Sequence, residues 1–328
     1  MKKLSLTLVL VLLVTSLFGM TAASAEWKPE KPITIMNYVK AGGGMDVTTR
    51  KFQEVASKYT DATIIVDNKP GAGGITAADY ILSQEADGYT IFGTTVSYVD
   101  KVVSDPEKFD VNKYLWGFEW IANIVGDPYC IMVAKDSPFN TLEDLIADAK
   151  ANKQNWMGPS LGGAKHLVAL QYWDAMGVYE NFIPFESGPD ALLAVMGGQG
   201  VATVGNPSDV NGRDLKHLVI GNPERLAAYP DVPTWTELGY PELDKIAMWR
   251  GYAVKKGTPA EAIAWWQDLC EKVKNDPDWI EYNTNKSYVV QNIGIEEFTA
   301  QVKKDAMEHF EILKADGMVD EDVELKLD

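Results

Sequence analysis

Cysteine and histidine are scarce in this chain. Cys130 and Cys270 permit one disulfide at most, which excludes a disulfide-built scaffold. Cys130 lies in the apolar run Tyr129-Cys130-Ile131-Met132-Val133, and Cys270 beside Trp266 and Leu269. Two buried thiols are therefore expected rather than a bridge. His166, His217 and His309 stand apart from one another and from both cysteines, so no metal centre is expected. Positive charge is also short: Lys and Arg total 30 against 47 Asp and Glu, a net charge of −17. That balance argues against nucleic acid and anionic membranes as partners. It gives an anionic small molecule no bulk attraction either, so such a ligand would have to be held by local dipoles. Beyond the N-terminus, no stretch is apolar enough to cross a bilayer.

The N-terminus has the grammar of an export signal. Met1-Lys2-Lys3 supplies positive charge, Leu4 to Phe18 is apolar, and Ala23-Ser24-Ala25 is a small-x-small cleavage site before Glu26. No Cys stands at that site to carry a lipid anchor. Residues 1–25 are expected to be removed and the rest exported, most simply to a bacterial periplasm. Losing Lys2 and Lys3 takes the net charge from −17 to −19 and leaves 303 of the 328 residues, enough for roughly two domains.

One stretch organises the mature chain: Ala41-Gly42-Gly43-Gly44-Met45-Asp46. It separates a strand-like run from Ile33 from a segment with helical spacing at Phe52, Val55, Ala56 and Tyr59. Glycines let the backbone turn and approach a bound group closely, and Asp46 falls where a helix N-cap is expected. The unpaired amides of a helix's first turn suit a carboxylate or phosphate. A tight connection with no ligand accounts for this stretch equally well.

The pattern repeats. Ile64 to Val66 reads as a strand, Asp67 to Gly74 as a second Gly-rich loop, and Thr76 onward as a helix. Tyr89 to Phe92 is a third strand, ending in the polar loop Gly93 to Ser97. This βαβαβ order predicts a parallel sheet with right-handed crossovers and with its ligand at the carboxyl ends of the strands. Residues 98–118 lack clean periodicity and read as a loop with a short helix. Strands are expected at 120–125, 130–134, 156–158, 182–185, 201–204, 215–220 and 248–254. Helices are expected after the N-x-x-E capping box at Asn140, after the small-residue loop Pro159 to Ala164, and at 189–196, 259–274, 277–283 and 296–315.

Two motifs are decoys. Gly158-Pro159-Ser160-Leu161-Gly162 matches the G-x-S-x-G of serine hydrolases. No histidine stands late in the chain in a loop that would present it as the base, and Pro159 removes a donor from the turn. Ser160 is better read as a loop residue or a ligand contact. Pro70-Gly71-Ala72-Gly73-Gly74 lacks both the third glycine of a dinucleotide fingerprint and the G-K-[ST] of a P-loop, so no cofactor is expected.

An ordered set of motifs then covers nearly the whole mature chain. Gly42-Gly43-x-x-Asp46-x-x-x-Arg50 comes first, followed by Val66-Asp67-Asn68-Lys69-Pro70-Gly71-Ala72-Gly73-Gly74 and Ala86-Asp87-Gly88-Tyr89-Thr90. Pro230-Asp231-Val232-Pro233-Thr234, Trp249-x-Gly251 and Gly257-Thr258-Pro259 come later. The set resembles the Bug-type solute-binding proteins, the extracytoplasmic receptors of tripartite tricarboxylate transporters. The resemblance implies an α/β, two-lobed, periplasmic-binding-protein-like (type II) fold with a central ligand cleft. The first lobe would be discontinuous, 26–128 plus 250–328, and the second would be 129–249.

It also implies a non-enzymatic, monomeric receptor that captures a small carboxylate and hands it to membrane permease subunits. A same-fold sensor feeding a signalling kinase is the alternative. Carried over by position, the ligand contacts are Gly42, Gly43, Asp46, Ala72, Gly73, Thr95 and Ser97 on the first lobe, with Ser160, Gly163, Ala164 and Asn206 on the second. Tyr38 and Lys40 depart from the family pattern. Tyr38 is either a ring-stacking contact or packing, and Lys40 either pairs with a second carboxylate or is solvated. Asp46 either meets a ligand ammonium or only caps its helix.

Mass spectrometry of the exported protein is expected to find Glu26 as the first residue; a retained apolar segment would refute the export signal.

Overall fold

The computed structural model describes residues 27–159 and 161–327. The expected signal segment and Ser160 lie outside the described residues. Two sheets organise the chain. One sheet has six strands and the other five.

The first sheet begins as the βαβαβ pattern predicts. Strand β1 (Ile33–Asn37) pairs in parallel with β2 (Ile64–Asn68) and with β3 (Thr90–Thr95). Ile33, Ile35 and Met36 are buried, as a parallel strand covered on both faces requires. Helix α1 (Gly44–Ala56) turns Met45, Phe52, Val55 and Ala56 onto this sheet, and α2 (Ile75–Ser83) buries Ile75, Ala77, Ala78 and Ile81. The sheet is mixed, however. Strand β10 (Ala247–Lys255) runs antiparallel between β3 and β4 (Phe118–Pro128), and β11 (Val289–Ile293) closes the edge beside β4.

In the second sheet, β6 (Asn155–Pro159) lies parallel to β7 (Asn181–Phe185) and β8 (Ala202–Gly205), while β5 (Cys130–Ala134) is antiparallel to β8 and β9 (Leu215–Ile220). The chain passes from one sheet to the other through Tyr129 alone, between β4 and β5. It returns at Ala247, whose register partner is Pro128. Both crossings are therefore side by side.

Several expectations are corrected. Thr94 and Thr95 belong to β3, and α3 (Val96–Val103) begins at once, capped by Thr95 Oγ1, which accepts from Ser97 N at 3.3 Å. The segment read as a loop with a short helix holds two, most of α3 and all of α4 (Val111–Tyr114), and Tyr98 OH joins them by donating to Tyr114 O at 2.7 Å. The cap of α5 (Leu142–Ala151) is Thr141 with Asp144, one residue later than Asn140 with Glu143. Strand β11 was not expected; its polar Gln291 and Asn292 hide an edge strand. Helices α6 (Ala164–Met176), α7 (Gly188–Met196), α8 (Ala260–Lys274), α9 (Pro277–Asn285) and α10 (Ile295–Ala315) fall where spacing places them. Helix α10 seats Phe298 edge-on to both Trp120 and Trp249, rings that weld β4 to β10.

Cys130 and Cys270 are free and buried, and burial pushes both thiols above their usual range. Ellman's reagent is expected to label neither in the native protein and both after unfolding in guanidinium. Labelling of the folded protein would contradict this packing.

Candidate ligand site

Three connections leave the carboxyl ends of β1, β2 and β3 together, two of them loops and the third the direct Thr95–Val96 junction with α3, and their own side chains lock them to one another. Tyr38 OH lies 2.7 Å from Thr95 Oγ1. A Cβ on Gly74 would come within 3.1 Å of the Tyr38 ring and 2.7 Å of the Tyr98 ring, and Gly74 has φ +109. Only glycine combines that conformation with that contact. Tyr38 thus ties the first loop to the second and third. Lys40 is exposed.

Asp46 is not the helix cap. Gly43 holds that place and offers no side chain. Asp46, three residues on, turns back to accept from Gly42 N at 2.8 Å and from Arg50 Nε at 3.1 Å. Arg50 Nη2 reaches Asn68 Oδ1 at 3.2 Å, and Asn68 Nδ2 donates to Val39 O at 3.1 Å. The motif residues Asp46, Arg50 and Asn68 therefore brace two loops from within. Burial would raise the Asp46 carboxyl, but Arg50 and the Gly42 amide hold it below the usual carboxylate range.

A cleft of about 510 Å³ separates these loops from the second sheet. Gly73, Ser97, Asp100 and Lys101 line one wall, and Gly162, Gly163, Ala164 and Lys165 the other. Of the residues singled out by sequence, Gly73, Ser97, Gly163 and Ala164 come together here. Gly42, Gly43, Asp46, Ala72, Thr95 and Tyr38 lie outside this lining. Asn206 spends its amide on the crossing strand, donating to Pro128 O at 3.2 Å. Gly163 caps α6 without a side chain, as Gly43 does for α1. Behind Gly162, His166 Nδ1 accepts its N–H at 3.1 Å. The other two histidines are also engaged, His217 Nε2 with Pro207 O at 3.0 Å and His309 Nδ1 with Asp100 Oδ1 at 2.6 Å. No group of three His, Cys, Asp or Glu able to hold a metal occurs among the described residues.

Sequence reasoning missed a buried charge pair that lies outside this lining. Arg250, on β10, and Asp127, on β4, are 4% and 3% exposed and pair at 3.0 Å through Nη2 and Oδ2. The Arg250 guanidinium lies 4.5 Å from the centre of the Tyr288 ring, and Nη2 is 3.3 Å from the Tyr288 hydroxyl. Burial pushes the Asp127 carboxyl up, with Arg250 opposing. The available signal was a charge interrupting an apolar strand: Arg in Met248-Trp249-Arg250-Gly251-Tyr252, and Asp ending Ile124-Val125-Gly126-Asp127. Nearby, Lys165 at the start of α6 lies 3.3 Å from Asp209.

Known proteins resemble the chain over most of its length. A family model described as the tripartite tricarboxylate transporter family receptor matches residues 48–317. A UPF0065 protein of Cupriavidus necator is 30% identical over 81% of this chain and 83% of its own length. Among solved structures, a TctC solute-binding protein from Polaromonas is 28% identical, covers 88% of this chain and 99% of its own, and superposes with a TM-score of 0.74. MatC from Rhodopseudomonas palustris, solved with bound malate, shares the fold at 21% identity, 87% and 99% coverage and a TM-score of 0.68.

Asp46→Asn is expected to cost about 1–2 kcal/mol at pH 7, a charge-assisted pair screened by solvent on the Arg50 side. A depressed carboxyl stabilises fully above its unfolded pKa of about 4 and loses that contribution as pH falls through its lower folded value. In urea unfolding, wild type and variant should therefore converge at acid pH. A gap that persists there would show that Asp46 acts by packing and not by charge.

Proposed function

The chain belongs to the receptor family of the tripartite tricarboxylate transporters, and on that premise we propose that it is an exported receptor for a small organic carboxylate. Residues 26–128 with 250–328 would form one lobe and 129–249 the other. The adjacent crossings at Pro128 and Ala247 would act as the hinge, and closure would trap the acid for delivery to permease subunits. The receptor would act as a monomer in the periplasm and perform no catalysis. No described helix is long and apolar enough to cross a membrane.

The observation that carries this reading is the cleft. Gly73 and Ser97 face Gly163 and Ala164 across it, and α6 at its wall, like α1 outside its lining, starts at a glycine with no side chain to cap it. Exposed amides at helix N-termini hold carboxylates. Each charge-assisted hydrogen bond contributes about 1.5–3 kcal/mol. Several of them, after the entropic costs of binding, reach the roughly −8 kcal/mol of micromolar affinity. In this reading Gly42, Gly43, Ala72, Gly73, Thr95 and Ser97 contact the acid from one side, and Ser160, Gly163, Ala164 and Asn206 from the other. Tyr38 and Asp46 serve chiefly to hold the loops in place. Malate bound in a protein of this fold supports the choice of a carboxylate.

A thermal-shift screen of di- and tricarboxylates, acidic amino acids and aromatic acids tests the reading. A binding acid at a hundredfold excess over its Kd stabilises by about 2.7 kcal/mol. Gly43→Val, whose Cβ would sit 3.0 Å from Lys40 O, is expected to abolish that shift. Normal binding by this variant would remove the first loop from the site. Failure of every acid to stabilise the wild type would refute the function.

A further inference from the structure

The pair Arg250–Asp127 has more hydrogen-bonding capacity than the protein uses. Arg250 Nε and Nη1 and Asp127 Oδ1 are all buried and meet no hydrogen-bond partner among the described residues. One hydrogen bond joins the two charges. A buried ion pair is favourable only when its geometry is good and its remaining protons and lone pairs are satisfied. Each orphaned group costs about 1–3 kcal/mol, and more when charged. A static role in stability therefore accounts poorly for this arrangement.

The surroundings point to a ligand. A Cβ on Gly44 would stand 3.1 Å from Arg250 Nη2, so the guanidinium sits against the first residue of α1. The N-terminal end of a helix is itself positive. Two positive sources in contact, served by one carboxylate, favour an anion between them. The pair also acts through space with groups around it: Lys165, at the start of α6, and Asp209 act on Asp127, and Arg250 acts on Tyr38 in the first loop. Tyr129 OH, buried on the crossing and also without a partner, lies in the field of both charges. The pair thus stands where the first loop, the crossing strands and the second sheet converge.

We propose that Arg250 and Asp127 read the ligand as a dipole. An anionic group of the ligand docks on Arg250 Nε beside the start of α1, and a hydrogen-bond donor of the ligand docks on Asp127 Oδ1. This rests on the carboxylate-receptor reading and narrows it. An ionised Asp127 only accepts hydrogen bonds, so it repels a second carboxylate and rewards a hydroxyl or ammonium close to the first one. The site selects acids carrying such a donor over the same acids without it.

Succinate, malate and aspartate share one four-carbon dicarboxylate skeleton and differ in a single substituent: hydrogen, hydroxyl or ammonium. Isothermal titration of the wild type is expected to rank malate or aspartate about tenfold to a hundredfold above succinate, the yield of one charge-assisted bond. Arg250→Gln is expected to weaken all three by about as much. Asp127→Asn is expected to erase most of the preference while leaving succinate within about threefold of wild type. A merely structural pair would shift all three affinities together in both variants and leave the ranking intact.

A second measurement needs neither variant to fold. The arginines of the chain are Arg50, Arg213, Arg225 and Arg250, and replacing the first three singly by Lys assigns the Arg250 Nε–H resonance by elimination. Addition of the preferred acid to the wild type should move that resonance and slow its exchange with solvent. If carboxylates bind while succinate ranks level with malate and aspartate, or while the Arg250 Nε–H stays unmoved, the inference fails and the receptor reading stands. If no carboxylate of the wider screen binds, the receptor reading fails and takes this inference with it.

Discussion

The antiparallel pairing of β4 with β10 is the constraint to which the other contacts answer. One strand carries the chain toward the second sheet and the other brings it back, paired from Phe118–Lys255 to Pro128–Ala247 with two shifts of register between. Trp120, Trp249 and Phe298 clamp the pair, and Trp249 Nε1 donates to Asp305 at 2.7 Å to bring in α10. Burying one large ring from each strand against a third from α10 makes this ribbon hard to shear. The loops on either side of the cleft are positioned relative to it. At its crossing end the pairing runs out, and Tyr129 alone leads into β5.

The loops themselves obey a second rule: their side chains are mostly spent on one another. Asp46, Arg50 and Asn68 brace the first two loops, Tyr38 and Thr95 join the first to the third, and Asn206 bonds the crossing strand. What these contacts leave for other partners is backbone, at helix starts whose caps are glycines. An acidic protein can then favour an anion locally, because helix dipoles and amides act over a few ångströms while surface charge is screened beyond about 8–10 Å.

The legibility of this fold in its sequence is uneven, for physical reasons. The alternation of apolar runs, small-residue loops and helical spacing identified the parallel core, because each element announces its own period. The segment after β3 did not, since Val-Ser-Tyr-Val-Asp-Lys-Val-Val buries nearly every face of α3 and shows no polar stripe. Strand β11 went unseen because Gln291 and Asn292 look like loop residues until Asn123 meets Gln291 Nε2 at 2.8 Å. The capping register of α5 slipped by one residue because Asn140 and Thr141 are both good caps and only the fold chooses between them. Arg250 was passed over inside the motif Trp249-x-Gly251, whose variable position proved to be a buried charge.

By itself, the sequence determined the pattern of elements, the glycine loops at the strand ends, two reduced thiols and the family signature. These are local properties, written in period, turn chemistry and spacing. The tertiary structure alone decided that Gly43 rather than Asp46 caps α1, and that the walls of the cleft carry Gly73 and Ser97 opposite Gly163 and Ala164. It alone brought Arg250 to Asp127. Those residues are separated by more than a hundred positions and meet only because β4 and β10 pair. A contact of that kind has no local signature, since its energy comes from burial that exists only once the two strands lie together.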